Sequence, residues 1–230
     1  MPNWVITRIY ITGPEDKIKD FEAKCISLDE ERVFSFDRVK KRPEELTNTK
    51  APDPKPELRM VKDLQGKKIE IEVYQENLND WEIQAAINRG ETPPEPIPCN
   101  NATPDQQNEL CLKYGTSNWY DWNIYNWGTK WDCSESTYSE EDKILDFQTA
   151  WGCPQEIIAE MAGMFPDLKF TGTFADEDFG SNTGYIEDGG TFHLENGSEE
   201  AYETAATLWN YQGYYDDERG KWIHEGEEDE

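Results

Sequence analysis

Chemistry in this chain would have to come from a sparse set of reactive side chains. There are two histidines, His193 and His224, and neither lies near a serine or cysteine in a nucleophile motif. The sequence contains no glycine-rich phosphate loop, no His-x-x-x-His pair and no glycine-flanked serine. The five cysteines, Cys25, Cys99, Cys111, Cys133 and Cys153, are odd in number and form no Cys-x-x-Cys pair. They read as free thiols of a reducing compartment rather than as a disulfide framework or a zinc site. From Asp176 to Glu187 the acids fall at the first, third and twelfth places of a calcium loop. Ser181 stands where that loop needs glycine, however, and Gly180 offers no side-chain oxygen at the fifth place. Carboxylates are abundant enough to hide a catalytic pair, but nothing singles one out. The expectation is no catalytic residue, no metal and no cofactor.

Two other chemistries remain, charge and aromatic contact. The net charge is -27, from 22 Lys and Arg against 49 Asp and Glu. Residues 1 to 70 are almost balanced, with 15 basic and 14 acidic side chains, whereas residues 151 to 230 hold 3 against 20. Such a field repels phosphate, so direct nucleic-acid or anionic-membrane binding is excluded and basic partners are favoured. Dense runs stand at Asp176-Glu177-Asp178, Asp216-Asp217-Glu218 and residues 227 to 230. The aromatic contribution is concentrated between Tyr114 and Asp132, where Trp119, Tyr120, Trp122, Tyr125, Trp127 and Trp131 alternate with Asn, Asp and Gly. These rings either fill a core or present a stacking surface. Trp127 and Trp131 are expected to cover a sheet, while Trp119, Tyr120 and Trp122 are candidates for contact with a partner. Lys130, next to Trp131, can place its cation over a ring.

The elements that must position these groups follow from periodicity. Trp4 to Thr12 is β-branched and aromatic, stops at Gly13-Pro14, and reads as a strand. A helix from Glu15 to Cys25 buries Ile18, Phe21 and Cys25, and Val33 to Phe36 reads as a short second strand. Residues 38 to 56 read as a solvated loop, 67 to 74 as a half-exposed strand, 80 to 89 as a helix and 91 to 104 as a proline-rich loop. Lys143 to Trp151 reads as a strand. Pro154 then opens a helix through Ile157, Ile158 and Met161, and Leu168 to Phe174 reads as a strand with a hairpin partner beginning at Gly184. Ser198 caps a helix to Trp209 that turns Tyr202, Ala205, Ala206 and Trp209 inward. Strand–helix–strand twice over implies an α+β, ferredoxin-like sandwich, an antiparallel sheet with helices on one face. The expected organisation is a core of residues 1–36 and 113–190, an insertion over 37–112, and a C-terminal helix and acidic tail over 191–230. No apolar run reaches the length of a membrane span and no basic-then-apolar leader is seen, so a cytoplasmic protein is expected.

Three separated pieces carry a family resemblance: Met1-Pro2-Asn3-Trp4 leading to Ile11-Thr12-Gly13, the motif Asn126-Trp127-Gly128-Thr129-Lys130-Trp131, and Asp146-Phe147-Gln148-Thr149-Ala150-Trp151 followed by Pro154 and Phe165-Pro166. Together they resemble the YubB-like (Api-type) family of phages and conjugative plasmids. The resemblance implies a ferredoxin-like domain and a mobile-element origin, with no catalytic residues to carry over. The chain departs from the family at Val5, at Gly152-Cys153 and throughout 37–110.

The functional expectation joins charge to origin. The protein would be a non-enzymatic inhibitor that imitates DNA and occupies a basic, nucleic-acid-handling host protein, such as a CRISPR effector or restriction enzyme. Asp176, Glu177, Asp178, Asp216, Asp217 and Glu218 would supply the charge, with Trp119, Tyr120 and Trp122 as anchors. The alternative is a small-molecule module in which the Trp/Tyr segment stacks on a nucleotide or sugar.

Overall fold

The structure, a computed structural model, describes residues 3–28, 32–47, 49 and 104–224, together with the backbone of 57–62 and 68–73. The expected helix at 80–89, the loop at 91–103, Cys99 and the acidic run at 227–230 lie outside the described residues. The chain divides into two compact units, residues 1–43 with 122–230, and residues 44–121.

In the larger unit, β1 (Trp4–Thr12) is followed by α1 (Glu15–Cys25), and the one-turn helix α2 (Phe36–Val39) comes after it. The chain re-enters the unit late in the helix Trp119–Trp127 and continues as β4 (Ser134–Ser139), β5 (Ile144–Ala150), α6 (Gln155–Met164) and β6 (Lys169–Asp176). Then come β7 (Gly184–Glu187), β8 (Gly190–His193), α7 (Glu199–Trp209) and the hairpin of β9 (Gly213–Asp216) with β10 (Lys221–His224). Six strands form an antiparallel sheet in the order β4-β5-β1-β6-β7-β8. Its four principal strands, β1, β4, β5 and β6 in chain order, stand side by side as second, third, first and fourth. With α1 after β1 and α6 after β5, this is the ferredoxin-like arrangement.

Alternation decides which face is covered. Val5, Thr7, Ile9 and Ile11 of β1 are buried, as are Leu145, Phe147 and Thr149 of β5. Ile18 and Phe21 of α1 and Ile157, Ile158 and Met161 of α6 are buried as well. Aromatic rings fill much of this layer. Phe21 meets Phe165 and Phe170 at 5.4 and 5.7 Å, and Phe34 meets Phe147 at 5.4 Å. Large rings therefore make a core from a chain that is only 36% hydrophobic. The core thus carries its two helices on one face, as expected, and the opposite face receives the C-terminal helix. Small residues let α7 approach, so Ala205 and Leu208 pack on Ala175 and the partly buried Ile6. Ser198 caps α7 as expected, accepting from Ala201 N at 3.2 Å. Trp209 Nε1 donates to the Asp176 carbonyl at 3.0 Å. Helix α7 thus packs on the sheet it follows.

One expected strand is absent. Val33 to Phe36 forms only an isolated bridge, Ile26 to Phe34, before turning into α2. The cause is Asp132, which accepts from Ser35 Oγ, Phe36 N and Arg32 at 2.6, 2.8 and 2.8 Å, while Ser35 Oγ caps Asp37 N. Capping the helical turn outweighs a strand preference spread over four residues.

In the smaller unit, α3 (Glu44–Thr47) precedes the antiparallel pair β2 (Glu57–Lys62) and β3 (Lys68–Val73), then α4 (Pro104–Tyr114). Glu45 accepts from Lys113 and from the Tyr114 hydroxyl. The helix α5 (Trp119–Trp127) begins here, capped by Asn118, whose Oδ1 accepts from Asp121 N at 2.9 Å.

Candidate functional site

The Trp-rich segment is a helix, and its rings divide by face. Trp127 is 2% exposed, meets Phe36 and Trp122 at 5.8 and 5.7 Å, and donates from Nε1 to the Lys40 carbonyl at 2.9 Å. Its expected core role stands. Trp122, a candidate contact residue, is only 6% exposed and packs on Trp127, so it belongs to the same core and offers no anchor. Trp119 and Tyr120 are half-buried and meet edge to face at 5.8 Å. The helix ends at Gly128, whose φ of +79° serves the turn and whose missing side chain leaves room for the Glu156 carboxylate.

Trp131 differs from the expectation of core. Thr129 Oγ1 bonds the Trp131 carbonyl at 2.7 Å, and the indole emerges 39% exposed. There it stacks on Trp151, 50% exposed, with ring centroids 5.3 Å apart and planes 29° from parallel. Lys130 Nζ lies 4.8 Å from the Trp131 ring and 5.8 Å from the Trp151 ring. Trp151 has φ +67°, a left-handed conformation that a bulky side chain rarely adopts. Its N–H donates to the Asn3 carbonyl at 2.9 Å, and its carbonyl accepts from Asn182 Nδ2 at 3.2 Å. Behind it the Asp176 carboxylate accepts from Asn3 Nδ2 at 3.2 Å, Asn182 Nδ2 at 2.9 Å and Asp178 N at 2.9 Å. Surrounding hydrogen bonds thus hold a strained residue whose indole is presented outward.

Asp176 is therefore no partner-facing acid. It is 4% exposed and spends its oxygens on the loop. Glu177 and Asp178 are exposed. Asp216 is half-buried and turns inward on its own hairpin, accepting from Glu218 N and Arg219 N at 2.9 and 3.1 Å, which leaves Asp217 and Glu218 exposed. The two acidic runs are brought together by an aromatic hub. Phe179 meets Tyr202 of α7, Tyr211, Trp222 and His224 at 5.1 to 5.7 Å, and Tyr202 meets Tyr215 at 5.7 Å. Around this hub α7 adds Glu199, Glu200 and Glu203, all exposed. Among the described residues no Lys or Arg forms an ion pair with these seven exposed carboxylates. The runs were legible in the sequence, whereas Glu199, Glu200 and Glu203 are set beside them only by the packing of α7.

Three of the thiols, Cys25, Cys133 and Cys153, are held in the unreactive protonated form. Burial pushes Cys25 up to about 11 and Cys153 up to about 12, and burial with the Asp132 charge raises Cys133 further. Among the described residues no group of three or more His, Cys, Asp or Glu side chains is placed to hold a metal ion. No helix among them is long and apolar enough to cross a membrane.

No curated protein and no solved structure matches the chain significantly. Residues 126–211, from the end of α5 through α7, match a family model described as the ferredoxin-like domain in Api92-like protein, and with β1 added from outside the matched residues the strand order is that of a ferredoxin-like fold.

Proposed function

We propose that this protein is a non-enzymatic, mobile-element inhibitor of YubB-like (Api-type) lineage that binds a basic, nucleic-acid-handling host protein by imitating DNA. The observation that supports the reading is the acidic sector around Phe179. The loop after β6, the solvent side of α7 and the β9–β10 hairpin together carry seven exposed carboxylates, with Arg219 and Lys221 the sector's cations. DNA offers about one negative charge per 1.7 Å of duplex axis, and a cleft lined with Arg and Lys would accept a protein surface of similar density. A CRISPR effector or a restriction enzyme has such a cleft.

The test compares the parent with two charge-reversed variants, Glu199→Lys/Glu200→Lys/Glu203→Lys and Asp217→Lys/Glu218→Lys. Each is immobilised and challenged with bacterial lysate at low and high salt, with and without duplex DNA. The parent should capture basic proteins that DNA displaces, and both variants should capture less with a flatter salt dependence. Equal capture by parent and variants would refute the mimicry.

The Trp131–Trp151 pair favours a second reading, a stacking module for a nucleotide or sugar. Quenching of tryptophan fluorescence by such a ligand, abolished in Trp151→Ala, would support it over mimicry.

A further inference from the structure

The outer edge of the sheet offers a site of a different kind. Strand β8 is the terminal strand, and among the described residues no strand lies beyond it. The β7–β8 hairpin turns at Asp188-Gly189, both left-handed with φ of +49° and +78°, the two-residue turn that matches strand twist. That turn makes Glu187–Gly190 a hydrogen-bonded pair, and Leu194 N donates to the Thr183 carbonyl at 2.9 Å. Hydrogen-bonded pairs alternate along an antiparallel ladder, so Tyr185–Phe192 is also bonded while Ile186–Thr191 and Gly184–His193 are not. The N–H and C=O of Thr191 and His193 therefore point away from β7. They form two donors and two acceptors in strand geometry along an edge that no described strand covers.

The side chains around that edge specify what it fits. Tyr185 and Phe192 are both exposed and stack at 5.1 Å with planes 15° apart, an apolar rung beside the edge. Glu187 and Asp188 lie at the turn end and Glu195 beyond the other end, all exposed. Gly190, opposite Glu187, places no side chain between that carboxylate and an incoming strand. A second copy of the chain is a poor occupant, because each copy carries a net charge of -27.

We propose that β8 accepts an extended basic segment of a protein partner as a seventh strand, with an apolar side chain against Phe192 and Lys or Arg two residues to either side. This inference shares with the proposed function only the sign of the partner's charge, since it uses a separate surface and the backbone rather than the acidic sector.

The probe is a capped peptide, Gly-Arg-Thr-Val-Thr-Arg-Gly, and its counterpart with glutamate in place of both arginines. Amide hydrogen exchange of the full chain is followed residue by residue. The arginine peptide should slow exchange at Thr191 and His193, and the glutamate peptide should not. The variant Glu187→Lys/Glu195→Lys should weaken the arginine peptide about tenfold and favour the glutamate peptide. Phe192→Lys, which leaves the backbone donors in place, should weaken the arginine peptide. The Glu199→Lys/Glu200→Lys/Glu203→Lys variant should bind it as the parent does, which separates failure of this site from failure of the acidic sector. Unchanged exchange at Thr191 and His193 under saturating arginine peptide would overturn the inference. So would protection of those amides that grows with protein concentration alone, which would assign the edge to a second copy.

Discussion

Replacing Trp151 separates what its conformation costs from what its ring contributes. The left-handed backbone costs an L-residue about 1–2 kcal/mol, and glycine is exempt. The ring is half exposed, so roughly 100 Å² of it is buried, worth about 2.5 kcal/mol at about 25 cal/mol per Å². Stacking on Trp131 and the Lys130 cation add about 1 kcal/mol. Trp151→Ala keeps the strain and loses the ring, and should destabilise by about 3 kcal/mol. Trp151→Gly loses the same ring but relieves the strain, so it should cost about 1 kcal/mol less than the alanine variant. Elsewhere glycine is the worse residue of the two by about 0.5–1 kcal/mol, so the order of the variants carries the test. Urea denaturation with a common slope measures both. An alanine variant at least as stable as the glycine variant would refute the claim that Trp151 is held under strain.

Two predictions concern carboxylates that the fold uses. Asp176→Ala strands Asn3, Asn182 and the Asp178 N–H together and should cost about 3 kcal/mol in denaturant, whereas Asp178→Ala on the exposed neighbour should change stability by less than about 0.5 kcal/mol. Burial raises the Glu22 carboxyl, but bonds from Lys143 at 2.8 Å and Tyr138 at 2.7 Å outweigh it and hold Glu22 below its ordinary value. A depressed folded-state value contributes stability that is complete above the ordinary carboxylate range and fades as pH falls through the folded value. The stability gap between the parent and Glu22→Gln should therefore close below about pH 4, and a gap independent of pH would contradict it.

The elements legible in the sequence are those whose information is local. β1 alternates strictly, α1 places Ile18, Phe21 and Cys25 on one face, and Ser198 with two following glutamates announces α7. What escaped depends on distant residues. Nothing near Val33 reveals that Asp132, about a hundred positions later, will cap a helical turn at Phe36. Asp176 looks like its neighbours in an acidic run until Asn3, 173 residues away, arrives to bond it. Trp131 belongs to a motif whose first tryptophan is core, and only the Thr129 turn swings the second outward onto Trp151. Composition revealed that rings and acids were abundant, but the topology chose which of them face solvent.

That division bears on function through charge. The acids the fold needs are paired or bonded: Glu22 with Lys143, Asp132 with Arg32, Asp146 with Arg8 at 2.7 Å, and Asp176 with two amides. These satisfy backbone, amide or cationic groups, and none of them requires a net charge of -27. The seven carboxylates around Phe179 are solvent-exposed and without ion pairs among the described residues, and apart from Glu199 and Glu200, which complement the dipole in the first turn of α7, they repel one another and add nothing evident to stability. Removing them singly should leave the fold intact, and neutralising several should raise its stability at low salt. An excess of one sign that the fold does not use, gathered by a hub of aromatic rings, is the surface that the proposed basic partner would meet.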